Sequence, residues 1–117
     1  MRITTKITLA LAINGLSFAA VSGMQETINN QSSHQIEVAY NVACSGAPAT
    51  KQTRTVAAKD STTIMVGDQC FIEASQGAKF EFKAVDDGAI SAVASETWPT
   101  VYTIIDGEED DASTIKL

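Results

Sequence analysis

His34 is the only histidine among 117 residues, and it stands in the polar turn SSHQ. Imidazole is the commonest general base near neutral pH and the commonest ligand for zinc and copper, so its scarcity removes most of that chemistry at the outset. A Ser/His/Asp arrangement would have to recruit His34 with a distant aspartate, and no G-x-S-x-G elbow is present. In a polar turn, the ordinary place for such a ring is in water. Cysteine is nearly as scarce, with Cys44 and Cys70 the only two. One imidazole and two thiols cannot build a tetrahedral zinc site or a blue-copper site.

Basic residues are few, eight against fourteen acidic ones. They are also scattered, whereas phosphate binding needs them clustered, so nucleic acid is not expected as a partner and anionic membrane surfaces are disfavoured. Long apolar runs are missing too. The longest, from Ile7 to Ala20, is broken by Asn14 and Gly15 and falls short of the ~20 residues that span a bilayer.

That run has another use. Arg2 and Lys6 precede it and the small residues Ser22 and Gly23 follow it, which is the layout of a secretory signal peptide. We expect a leader over 1–23, cleaved after Ser22 or Gly23, and a single β domain over 24–117, secreted or periplasmic, with no stable membrane insertion after cleavage. No lipidation cysteine follows the leader, because the first cysteine is at position 44. Without the leader, six basic residues remain against fourteen acidic ones, a net charge of −8. An even pair of cysteines in an exported chain reads as one disulfide, Cys44 to Cys70, closing a loop of 27 residues counting both ends.

The clearest local pattern is QIEVAYNVAC, where Ile36, Val38, Tyr40, Val42 and Cys44 share one face and polar or small residues the other. Period two over this length makes a half-buried strand. METI before it reads as a shorter strand, with NNQSSH as the turn between them. KQTRTVA, TTIMV, CFIEAS, KFEFKAV, TVYTII and STIKL follow, separated by SGAPAT, AKDS, GDQ, SQGA and DDG. AISAVASETWPT is Ala-rich and fits a short helix as well as a strand. Cys70 shares parity with Ile72, as Cys44 does with Val42, which supports a buried bridge between neighbouring or facing strands. Seven or eight short strands at this spacing predict an all-β fold, an antiparallel sandwich of Ig-like or Greek-key kind or a small barrel.

Two features could carry binding. The phrase DGEEDD packs five carboxylates, Asp106, Glu108, Glu109, Asp110 and Asp111, into six residues between the last two expected strands. Its spacing is not the alternating D-x-D-x-D-G of a calcium loop, so Ca²⁺ would need help from Asp86 and Asp87 in VDDG. Otherwise the loop is a solvated turn, a guard against edge-to-edge association, or a lure for a cationic partner. The second feature is Trp98 with Tyr102, which can form a sugar-stacking platform or an interface anchor; Trp98 can equally fill one end of the core. Asn30, Gln31 and Ser32 also form an N-x-S sequon in an expected turn.

The phrase SQGAKFEF, with acidity, export and a bridged β domain, is similar to periplasmic inhibitors of lysozyme. In that family a Ser-Gly-aromatic stretch and nearby acids engage the cationic enzyme. The likeness covers eight residues, and the second motif of the family, with its tryptophan and Lys-Gly, has no counterpart here. A mature chain of ~94 residues in short strands leaves little room for the cleft that paired-carboxylate hydrolysis needs. The expectation is a small acidic domain that acts without catalysis or cofactor by binding another macromolecule, a basic protein or a glycan. Alternatives are an inhibitor of a cationic hydrolase and a carbohydrate- or Ca²⁺-binding module.

Overall fold

The structure, a computed structural model, describes residues 25–117. The expected leader at 1–23 lies outside the described residues. Nine strands and no helix are found among them: β1 (Gln25–Asn30), β2 (Ile36–Cys44), β3 (Thr50–Val56), β4 (Asp60–Met65), β5 (Cys70–Glu73), β6 (Glu81–Ala84), β7 (Ile90–Ala94), β8 (Val101–Asp106) and β9 (Thr114–Lys116). They form two packed sheets, as expected of a sandwich. One runs β9-β6-β2-β3 with β5 also on β2, and the other runs β4-β1-β8-β7.

Alternation places the inward residues as the sequence pattern requires. Ile36, Val38 and Tyr40 of β2 meet Phe80, Phe82 and Ala84 from the segment around β6, and Ile28, Ile64, Ile90, Tyr102 and Ile104 close over them from the second sheet. Phe80 is central, with its ring 5.6 Å from Tyr40, 5.8 Å from Phe82 and 4.9 Å from Tyr102. The contacts with Tyr40 and Tyr102 are edge-on and that with Phe82 is stacked, and both kinds add to the apolar area that each ring removes from water.

One open reading is resolved and two details differ from the expectation. The Ala-rich stretch is strand β7, because it pairs along its length with β8, from Ile90↔Asp106 to Ala94↔Tyr102. The sandwich is not wholly antiparallel, since β1 pairs in parallel with β8, Thr27 opposite Val101. And β1 runs on through Asn29 and Asn30, two residues expected in a turn.

The disulfide joins directly opposed residues of adjacent strands, Cys44↔Cys70, whose Cα atoms are 4.0 Å apart. Both cysteines are half-buried at the end of the sheet rather than deep in the core. Strands β5 and β6 lie end to end along the same side of β2: Asn41 pairs with Glu73, and two residues earlier Ala39 pairs with Glu81. The chain between them therefore loops out opposite the single residue Tyr40. Its tip is a tight turn closed by the bridge between Ser75 and Ala78, with Gln76 and Gly77 both in the left-handed region, at φ 55° and 84°. That pair of angles is the signature of a type I′ hairpin turn.

Candidate functional site

Strands β1 and β8 end at the same end of the sandwich, and β2, β4, β7 and β9 begin there. Four connections converge on it. The first, 31–35, is held from inside by Asn30, which is fully buried. Its amide nitrogen donates to the carbonyls of His34 at 2.8 Å, Ala57 at 3.0 Å and Val56 at 3.3 Å. Its oxygen accepts from Ser32 through the backbone N–H at 3.1 Å and the hydroxyl at 2.6 Å. A single planar amide thus ties the 31–35 turn to the 57–59 turn. The sequon reading is corrected here, because the nitrogen that would carry a glycan is enclosed and already bonded.

His34 is corrected as well: its ring is not solvated but clamped. Nδ1 lies 2.8 Å from Asp86 Oδ2 and Nε2 lies 3.5 Å from Asp106 Oδ1, with the side chain only 22% exposed. The ring packs on Gly88, where a Cβ would run into the imidazole, so the clamped ring favours a residue without one. Asp106 also accepts from Ser33, through the backbone N–H and the hydroxyl, each at 2.8 Å. These bonds, with His34 nearby, hold the Asp106 carboxyl below its ordinary range. Asp86 is lowered too, first by its bond from His34 and then by the Gly88 N–H.

Ser33, His34 and two aspartates side by side invite a catalytic reading, and the bonding disfavours it. The Ser33 hydroxyl donates to a carboxylate and not to the imidazole, and both ring nitrogens face carboxylates, so neither is placed to take a hydroxyl proton.

The acidic loop follows directly. Gly107 donates to the Ala89 carbonyl at 3.0 Å, Glu108 N–H donates to Asp111 Oδ2 at 2.8 Å, and Asp111 N–H returns a bond to the Glu108 carbonyl at 2.9 Å. Asp106 and Asp111 are thereby used in holding loops. Glu108, Glu109 and Asp110 point to solvent and take part in no ion pair among the described residues. Among the described residues no three His, Cys, Asp or Glu side chains converge in a way that could hold a metal ion.

Trp98 and Tyr102 do not join this end. They precede and begin β8, whose six residues span ~20 Å, so Trp98 sits in the 95–100 connection at the opposite end. Trp98 is 81% exposed and fills no part of the core, whereas Tyr102 is 6% exposed and its hydroxyl donates to Glu26 Oε1 at 3.1 Å. A surface platform made of both is therefore absent. Sequence reading missed Glu26, a carboxylate 2% exposed whose Oε2 has no hydrogen-bond partner and lies 3.8 Å from Lys79 Nζ. Burial first, then the Glu26 charge, pushes the Tyr102 phenol up to about 12. The signal was present, since Glu26 shares parity with Ile28, but one polar residue at a strand's start looks like fraying.

No protein-family model matches this chain, and neither does any of the curated proteins or solved structures compared with it.

Proposed function

We propose that this is an exported, non-enzymatic binding domain that presents its acidic end to a cationic macromolecule, in the first place a basic protein. The observation that carries the reading is convergence. Asp60, Asp86, Asp87, Asp106, Glu108, Glu109, Asp110 and Asp111, eight of fourteen acids, come from separate strand ends and connections to one end of the sandwich. Among the described residues only Lys59, Lys83 and His34 oppose them there, and Lys83 is already 3.5 Å from Asp87. A concentrated field of one sign steers an oppositely charged partner and raises its on-rate. Export is supported by the apolar leader and by the disulfide, which persists in oxidising compartments. Among the described residues no helix is long and apolar enough to cross a membrane.

The test measures association with a basic probe protein, lysozyme, at about 20 and about 150 mM salt. Steering predicts an on-rate that falls roughly tenfold across that range, and falls similarly at low salt when Glu108, Glu109 and Asp110 are changed to Gln, Gln and Asn. A rate indifferent to both would remove the proposal. A second reading, inhibition of such a hydrolase, is favoured by one observation: the SQGA segment stands off the sheet edge as an exposed turn. Lysozyme turnover unaffected by excess domain would dispose of it while leaving steering untouched.

A further inference from the structure

The depression on the outer face of the five-stranded sheet lies beneath the 74–80 loop, where the chain leaves the sheet opposite Tyr40. It has a volume of about 210 Å³ and is floored by Ala39 and Asn41. Ala39 is the smallest side chain of its row, which runs from Thr53 on β3 through Ala39 and Glu81 to Lys116 on β9. The neighbouring row runs Lys51, Asn41, Glu73.

The charges around this hollow are unusual for the molecule. Lys51, Lys79 and Lys116 line it, half of the six basic side chains in the described residues. Lys79 is balanced by the buried Glu26 carboxylate, 3.8 Å away, which pairs with no other cation among the described residues. Among the described residues Lys51, Lys116, Glu73 and Glu81 have no ion-pair partner within 4.0 Å, although Glu81 and Lys116 are direct cross-strand neighbours. Two free ammoniums and two free carboxylates around a polar floor recognise neither a net anion nor a net cation.

Their placement separates the two kinds of neutral ligand. The carboxylates stand on the collinear strands β5 and β6, while the lysines flank them on β3 and β9, three strand spacings or ~14 Å apart. A small zwitterion has one carboxylate and one ammonium, and can satisfy one flank only. A ring carrying hydroxyls around its rim can donate to the central Glu73 and Glu81, exchange bonds with Asn41, and accept from lysines on both sides. The volume lies below the ~300–1,000 Å³ of drug-sized pockets and suits one ring.

We infer that this hollow is a binding site for a single uncharged, polyhydroxylated ring, a pyranose, whether free or at the end of a glycan. It is separate from the acidic end and does not depend on its proposed role.

The test follows backbone amide shifts of the isotope-labelled, disulfide-bonded protein during titration with glucose, galactose and N-acetylglucosamine, and with their linear trisaccharides. Inorganic phosphate and glycine serve as comparison probes. At least one sugar is expected to shift Ala39, Asn41, Gly77 and Glu81 and to saturate in the millimolar range. Tighter binding of a trisaccharide identifies a glycan end as the source, and equal binding identifies a free sugar. Ala39→Leu, which fills the floor, and Asn41→Ala, which removes its polar group, should each weaken binding at least tenfold with the core shifts intact. The second variant decides the matter if the first does not fold. No shift with any sugar up to ~50 mM, well above a millimolar Kd, overturns the inference. So does a stronger response of the same amides to phosphate or glycine, or an unchanged titration in the folded variants.

Discussion

Asn30 carries more of this structure than any other polar residue. Its side chain serves three carbonyls and two donors of the 31–35 and 57–59 turns from a position closed to water. Asn30→Ala should cost about 3 kcal/mol, because buried carbonyls left unbonded lose more than the bond itself; urea unfolding measures it. The role was hidden in the sequence because Asn in a polar cluster reads as turn chemistry, and only the pairing of β1 reveals its inward parity. The aspartate clamp makes a second prediction. Asp86 and Asp106 are more acidic folded than unfolded, so their contribution is present above pH 3.8, the ordinary carboxyl value, and is lost as pH falls below it. Melting temperature should therefore drop less steeply below pH 4 in Asp86→Asn than in the parent. At the other extreme, Tyr102 resists ionisation until about 12 while the unfolded phenol ionises near 10, so stability declines as pH rises between these values. Glu26→Gln removes the neighbouring charge and should bring the Tyr102 midpoint down in an absorbance titration, though not to 10, since burial remains the larger cause.

Among the elements, β2 was the most legible and β7 the least. One buried face with strict alternation left β2 no other register, and Ile36, Val38 and Tyr40 are all in the core. In KFEFKAV, Phe80, Phe82 and Ala84 alternate with charged residues and are buried for the same reason. Strand β7 was ambiguous because alanine suits either structure, and pairing with β8 decided it. That β5 and β6 share one side of β2, and so open a hollow between them, is a fact about pairing which no local pattern contains. Strand β5 has four residues, pairs only with β2, and is fastened by the disulfide at its first residue. Replacing both cysteines by alanine should destabilise the protein by about 3–4 kcal/mol on the chain-entropy account. Hydrogen exchange should place the first loss of protection at Phe71 and Ile72, with the β2–β3 ladder persisting; equal loss across both would show that the bridge holds the whole sheet.

At the scale of the molecule, charge and chain path are the two global facts. Composition shows an acidic protein, but not that its carboxylates gather at one end, because they come from the start of β4, the end of β8 and the 85–89 and 107–113 connections, and meet only when the sheets close. Self-repulsion there should make the fold more stable in salt. Melting temperature should rise between about 10 and about 200 mM NaCl, and rise less when Glu108, Glu109 and Asp110 are neutralised. The parallel partnership of β1 with β8 has a different kind of consequence. Thr27 finds Val101 across 73 intervening positions, and β1 lies inside its sheet, between β4 and β8, rather than at an edge. Until residues near 101 have joined, β1 has only β4 beside it and the second layer stays open. Sequence-distant pairings of this sort slow folding, and the amides of β1 and β8 should gain protection together and late in pulse labelling. A chain threaded through a narrow pore from its N-terminus would thus stay unfolded until most of it had passed. In such a passage the topology would act as a timer, delaying closure until nearly all of the polypeptide had emerged.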